Sequence, residues 1–153
     1  MYLLQKLSSK IWTTYITDNP YDELDIEKII SEKRFIKIEP PRGYLMTADG
    51  SFIDENNILI ECISIKTANG CIYIFNKKNK TINKISLNNN FHFSFPLHYI
   101  FEKRNYITLQ SNIDDGLILY EYQKLFSRNN KTFLSKLKRI KVINNIEEKL
   151  LDP

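Results

Sequence analysis

From residue 48 onward this chain of 153 residues runs as short β-branched and aromatic segments separated by Asn, Asp, Gly and Lys. That texture points to antiparallel sheet. Ile58 to Ser64, Cys71 to Phe75 and Thr81 to Leu87 are three such runs, the second opened by the hairpin signal Asn69-Gly70. The order then recurs: His98 to Phe101, Tyr106 to Gln110, and Leu117 to Tyr122 after a second hairpin signal, Asp115-Gly116. Sliding the first group by 46–48 positions lays Phe52-Ile53-Asp54 over Ile100-Phe101-Glu102 and Asn57-Ile58-Leu59 over Asn105-Tyr106-Ile107. It also lays Gly70-Cys71-Ile72 over Gly116-Leu117-Ile118. This is a divergent internal repeat with the period of a four-stranded propeller-type blade. An ordinary antiparallel meander is the rival.

Upstream, residues 10–17 read as a strand, and Asp18-Asn19-Pro20 as a turn. Asp22 can cap a short helix through about Lys33, with Ile26, Ile29 and Ile30 on one face. Pro40-Pro41 forbids helix and makes an extended lead-in loop of the next stretch. Lys131 to Ile143 carries both helical and strand spacing, and the repeat assigns it to a strand, the last of the second unit. The expected organisation is an N-terminal strand, helix and loop over 1–47, blade one over 48–91, blade two over 92–151, and the start of a missing third blade at 152–153.

Tyr (9) and Phe (9) outnumber Gly (4), which suits strands. The net charge of +4 is modest, and its densest cluster is Lys136, Lys138, Arg139 and Lys141. A solvated face accounts for that cluster, and no nucleic-acid partner is expected. Cys62 and Cys71 fit no zinc or redox spacing and sit among apolar residues, so buried free thiols are expected. Met1 to Leu7 is too short and polar for a signal peptide, and no run nears the ~18 apolar residues of a membrane span. The chain reads as soluble and cytoplasmic.

Several short stretches resemble one family. Met46-Thr-Ala-Asp-Gly-Ser-Phe-Ile53 looks like the Ala-Asp-Pro-Phe-Leu signature that opens a blade in certain five-bladed propellers. Ile58-Leu-Ile-Glu61 resembles the strand ending in Glu that follows, and Phe93-Ser-Phe-Pro96 the Ser-Tyr-Pro that opens the next blade. Ile107-Thr-Leu-Gln-Ser111 sits where Pro-Glu-Ser is usual, Trp12 resembles a Trp ahead of the first blade, and Asp152-Pro153 the start of a third. The chain is thus similar to the N-terminal propeller domain of glucosamine inositolphosphorylceramide transferases, and more remotely to glycoside hydrolase family 43. The resemblance spans roughly residues 10–153 and about two blades. It implies a module that binds a saccharide or glycoconjugate, with little or no catalysis alone and no cofactor. Gly50 replaces the family proline, and Gln110 stands for the family Glu and cannot transfer a proton as an acid.

The resemblance makes Asp49 the candidate catalytic carboxylate, a base at the mouth of the channel. A turn Asp bonding its own backbone before Gly50 is the plain alternative. Glu61, Ser94, Gln110 and Trp12 are candidate ligand-binding residues. Glu61 also fits the solvent side of an edge strand, and Ser94 a turn. Two carboxylates are the minimum for glycoside hydrolysis, but Asp49 and Glu61 come from one unit rather than two. Cys, Asp and Glu are absent from the stretch between His92 and His98, so no metal site is expected. Trp12, Tyr44, Phe93, Phe95 and Tyr99 are core aromatics or a platform for a sugar face. Two blades alone leave faces unburied. The expected outcomes are a truncated product, assembly with copies or a partner chain through exposed blade edges, or a small sandwich capped by the N-terminal helix. An active hydrolase or transferase is the least favoured reading.

Overall fold

The computed structural model describes residues 12–17, 31, 35–87, 91–112, 116–128 and 131–143. They form two four-stranded antiparallel sheets and two antiparallel ribbons. The first sheet runs in order through β3 (Tyr44–Phe52), β4 (Asn57–Ser64), β5 (Gly70–Asn76) and β6 (Thr81–Lys84). The second contains β7 (Phe93–Phe101), β8 (Arg104–Ser111), β9 (Gly116–Tyr122) and β12 (Lys138–Ile143), in spatial order β12-β9-β8-β7. The ribbons are β1 (Tyr15–Thr17) with β2 (Phe35–Lys37), and β10 (Lys124–Arg128) with β11 (Lys131–Ser135).

The all-β expectation holds. The helix expected from Asp22 to about Lys33 lies outside the described residues, Ser31 excepted. The strand expected over 10–17 is described from Trp12 and is paired only from Tyr15. β3 begins at Tyr44, ahead of the boundary expected at 48. The ambiguous segment 131–143 is strand, split between β11 and β12. The hairpin β10–β11, inserted before the fourth strand of the second sheet, was not foreseen.

The repeat is real at the level of register. Asn57 faces Asn76 as Asn105 faces Tyr122; Leu59 faces Ile74 as Ile107 faces Tyr120; Ile63 faces Gly70 as Ser111 faces Gly116. The first strands need a correction of one residue. Phe52 lies opposite Ile58, and Tyr99 opposite Tyr106, so Phe52 corresponds to Tyr99 rather than to Ile100. Side chains alternate along a strand, so this slip decides which face each one occupies. In both sheets the first strand bulges at the same place. The register of β3 shifts between Ala48 and Gly50, and that of β7 between Ser94 and Leu97.

Leu59, Ile72 and Ile74 of the first sheet share one core with Ile107, Leu109 and Ile118 of the second. Leu59 is equivalent to Ile107 and Ile72 to Ile118, while Ile74 corresponds to Tyr120 and Leu109 to Glu61, all on the same face of their units. Stacked propeller blades offer opposite faces to successive neighbours; here equivalent faces meet. Leu125, Leu134 and Leu137 of the inserted hairpin region pack against the same core. The other face of the first sheet, including Ile58, Ile60, Cys62, Cys71, Tyr73 and Phe75, is covered by Ile16, Ile36 and Ile38 of the β1–β2 region. β4 and β5 are therefore buried on both sides, which accounts for the nearly continuous apolar run Ile58-Leu-Ile-Glu-Cys-Ile63. Among the described residues the N-terminal ribbon performs that covering. Thr47 pins it: its Oγ1 accepts from the Thr14 N–H at 3.1 Å and donates to the Ile38 carbonyl at 3.1 Å.

Candidate functional site: a carboxyl between the sheets

Glu61 sits on the face of β4 that looks toward the second sheet, and is 4% exposed. It was expected to bind ligand or to project into solvent from an edge strand. β4 is instead an interior strand, flanked by β3 and β5, so the solvent-side alternative fails. Several groups converge on its carboxyl. The Phe95 backbone N–H donates to it from the bulge of β7. Asp49, on the bulge of β3, adds a second negative charge nearby. His92 approaches from the segment leading into β7, its Nε2 3.9 Å from Glu61 Oε1.

Gly70 makes the space. A Cβ on that residue would lie 2.5 Å from Glu61 Oε1, and closer still to the Phe93 carbonyl oxygen. Its φ is not in the left-handed region, where Ala68 carries the turn at φ 56°. The Asn69-Gly70 pair thus marks the hairpin, but the glycine is needed for close approach rather than for turn geometry. The Gly70 N–H donates to His92 Nδ1 at 2.8 Å. In the neutral ring the proton therefore resides on Nε2, the nitrogen nearer to Glu61.

Burial pushes the Glu61 carboxyl up to about 7, Asp49 pushes in the same direction, and the Phe95 N–H opposes them. Burial lowers the His92 pKa. Both groups are thus driven toward their neutral forms. A carboxyl that titrates near 7 is suited to general acid–base work, but at this burial Glu61 does not present itself to a substrate.

The other expected site residues scatter. Asp49 is exposed at its bulge, with φ 28°. Ser94 is buried and lies opposite Gln110, which is exposed. By register Ser94 corresponds to Thr47, and the counterpart of Glu61 is Leu109. The second unit therefore holds an apolar side chain where the first holds its buried acid. Trp12 is 68% exposed, ahead of β1. The site assembles Asp49 with Glu61, and sequence reasoning missed His92, Gly70 and the Phe95 N–H as their neighbours. No acid is near His92 in sequence; the acid is supplied by another strand.

His98 forms a second junction between the sheets. Its backbone N–H donates to Ser51 Oγ at 3.0 Å, and its Nε2 meets Tyr122 Oη at 3.0 Å. Among the described residues no group of three or more His, Cys, Asp or Glu could hold a metal ion, and no helix is long and apolar enough to cross a membrane. No protein-family model matches the chain, and no curated protein or solved structure is significantly similar to it.

Proposed function

We propose that this chain is a non-catalytic assembly module whose second sheet docks face to face on a second copy. The observation that carries the reading is a row on β7. Leu97, Tyr99 and Phe101 alternate along one face, and Leu97 and Phe101 are 57% and 60% exposed. The same face of the first sheet is closed by the β1–β2 region. Contiguous exposed apolar surface of this kind marks interaction sites.

Assembly through strand edges, the form expected from the sequence, has less support. The His98 N–H of edge strand β7 is taken by Ser51, and the other edge, β12, carries exposed Lys138 and Arg139. Charge on an edge strand discourages strand addition. A second copy suits the face because it carries both signs: Arg104 Nη1 lies 3.8 Å from Glu121 Oε1. A two-fold partner then meets complementary charges beside the apolar row. Equivalent faces already pair within one chain, so the dimer would extend that mode of packing.

Sedimentation equilibrium tests this. The wild type should dimerise, and a Leu97→Lys, Phe101→Lys double variant should stay monomeric with an unchanged far-ultraviolet spectrum. A wild type that remains monomeric up to ~0.1 mM rejects the proposal.

A second reading, binding of a saccharide, keeps one observation: exposed Asp49 stands beside Glu61, and exposed Phe95 donates its N–H to the same carboxyl. A carboxylate next to an aromatic ring suits a sugar hydroxyl and a sugar face. Titration against a saccharide panel should show weak binding that Asp49→Ala removes; no binding by the wild type ends this reading.

A further inference from the structure

We propose that the β10–β11 ribbon is a binding surface for single-stranded nucleic acid, with Phe126 and Phe133 taking bases and the basic residues around them taking phosphates. This goes beyond the assembly reading and does not depend on it. The ribbon is an addition to the second unit: the first passes from β5, ending at Asn76, to β6, starting at Thr81, without one. Its two faces are unlike, because side chains alternate along a strand. Leu125 and Leu134, opposite each other in register, pack against the core shared by the sheets. Phe126 and Phe133, the next register pair, lie on the other face and are 40% and 36% exposed. Their rings stack, with centroids 5.5 Å apart and planes inclined by 28°. Ser135 fixes the base of the ribbon, since its Oγ accepts from the Lys124 N–H and donates to the Lys124 carbonyl, both at 3.1 Å.

Charge is segregated around these rings. Seven of the 22 Lys and Arg residues fall between Gln123 and Asn145, and none of the 18 Asp and Glu residues does, so the rest of the chain is net acidic. Lys124 and Arg128 stand two residues to either side of Phe126 on β10, which puts them on its face, and both are exposed. Lys131 lies opposite Arg128 in register. Lys136, Lys138 and Arg139 continue the exposed basic run, although Glu121 faces Lys138 across β9 and β12. Alternate residues of a strand are about 7 Å apart. A base stacked on the ring pair therefore has Lys124 in reach of the phosphate on one side and Arg128 in reach of the phosphate on the other. Solvation accounts for the basic cluster as the sequence shows it, but not for stacked, exposed rings set among the cations. Every base has a face to stack and every nucleotide a phosphate, so a surface of this kind tolerates any base and either sugar. A bilayer suits it less. The connection from β10 to β11 reads Arg128-Asn129-Asn130-Lys131, polar throughout, and the rings are set two residues back from it. Taking them into lipid would draw those polar groups along at a cost.

Fluorescence anisotropy of the full chain tests this with three labelled strands of about 12 nucleotides: oligothymidylate, oligouridylate and an abasic strand of the same length. Both base-bearing strands should bind alike, and the abasic strand at least about fivefold more weakly, the loss expected when stacking is removed. The logarithm of affinity should fall with the logarithm of salt at a slope of about −2, as for three neutralised phosphates. Arg128→Ala should reduce that slope by about 0.7 and leave the preference for bases intact. The double variant Phe126→Ala, Phe133→Ala should abolish the preference and leave the slope unchanged. The comparison of strands on the wild type needs no variant, so it decides the matter even where a substitution prevents folding. Absence of binding to either base-bearing strand at ~0.1 mM protein and low salt overturns the proposal. So does an abasic strand bound as tightly as oligothymidylate, which leaves only a general contact with polyanions. Binding to vesicles of phosphatidylserine and phosphatidylcholine, with none to the oligonucleotides, overturns it in favour of a lipid surface.

Discussion

His92 Nε2 lies 3.9 Å from Glu61 Oε1, yet burial drives the imidazole and the carboxyl toward their uncharged forms. Proximity here is not a standing ion pair. Taking charge out of water costs more than a long contact returns.

Stability should therefore fall as pH rises through neutrality. The Glu61 carboxyl has a folded-state pKa of about 7 against an ordinary 4.5. Its contribution is fully present below pH 4.5 and is lost as pH rises through 7. By linkage it amounts to about 3 kcal/mol. His92, with a lowered pKa, works the other way: its contribution is present above 6.5 and is lost as pH falls. Urea melts at pH 5, 6, 7 and 8 should show Glu61→Gln flattening the decline and exceeding the wild type at pH 8. Parallel curves for the two proteins would contradict this account.

Gly70→Ala should destabilise by about 2–4 kcal/mol, because the added methyl meets Glu61 Oε1 and the Phe93 backbone oxygen at once. Combining it with Glu61→Ala should not restore stability, since a backbone oxygen cannot be trimmed away. Chemical denaturation of the single and double variants checks both statements.

Thr47→Val keeps the volume but leaves the Thr14 N–H and the Ile38 carbonyl without their shared hydroxyl. A cost of about 1–3 kcal/mol is expected. Hydrogen exchange should accelerate at Thr14 far more than at Leu59, which belongs to the core on the other side of the sheet.

Cys62 and Cys71 face each other across β4 and β5 as free, buried thiols. Burial pushes the Cys62 thiol well above its usual range. Neither should react with a thiol reagent in the native protein, and both should react after unfolding. Rapid native labelling would show that the face covered by the β1–β2 ribbon opens readily.

Much of the architecture was legible beforehand because strand signals are local. β-branched and aromatic runs bounded by Asn, Asp and Gly marked β4, β5, β8 and β9 within a residue or two. The repeated pairing register followed from the same spacing. The buried thiols were legible from their apolar surroundings. β10 escaped notice because Lys-Leu-Phe-Ser-Arg carries little periodicity of its own, and its strand character comes from pairing with β11. Gly70 reads as a turn residue because its real constraint, the close approach of β7, is invisible from either side of it in sequence.

The candidate site was half legible. Asp49 and Glu61 both stand out in the sequence, and the slide that lays Asn57 over Asn105 already lays Glu61 over Leu109; the slip is in the first strands, where Phe52 falls on Ile100 and the register assigns Tyr99. An error of one residue along a strand places a side chain on the wrong face. The slip arises in the hairpin connections, since Phe52 and its partner Ile58 are six positions apart whereas Tyr99 and Tyr106 are seven.

The amino-acid order by itself determined that this chain forms sheets, that it forms two of them in matching register, and which runs are apolar enough to be buried. Those properties depend on side-chain shape and on neighbours within a few positions. Only the tertiary structure decided that equivalent faces meet in one core, that the N-terminal ribbon closes one outer face while the β7 row stays exposed, and that Glu61 is gathered with Asp49, His92 and Phe95. Such choices depend on which surfaces exclude water together, and residues distant along the chain make them jointly.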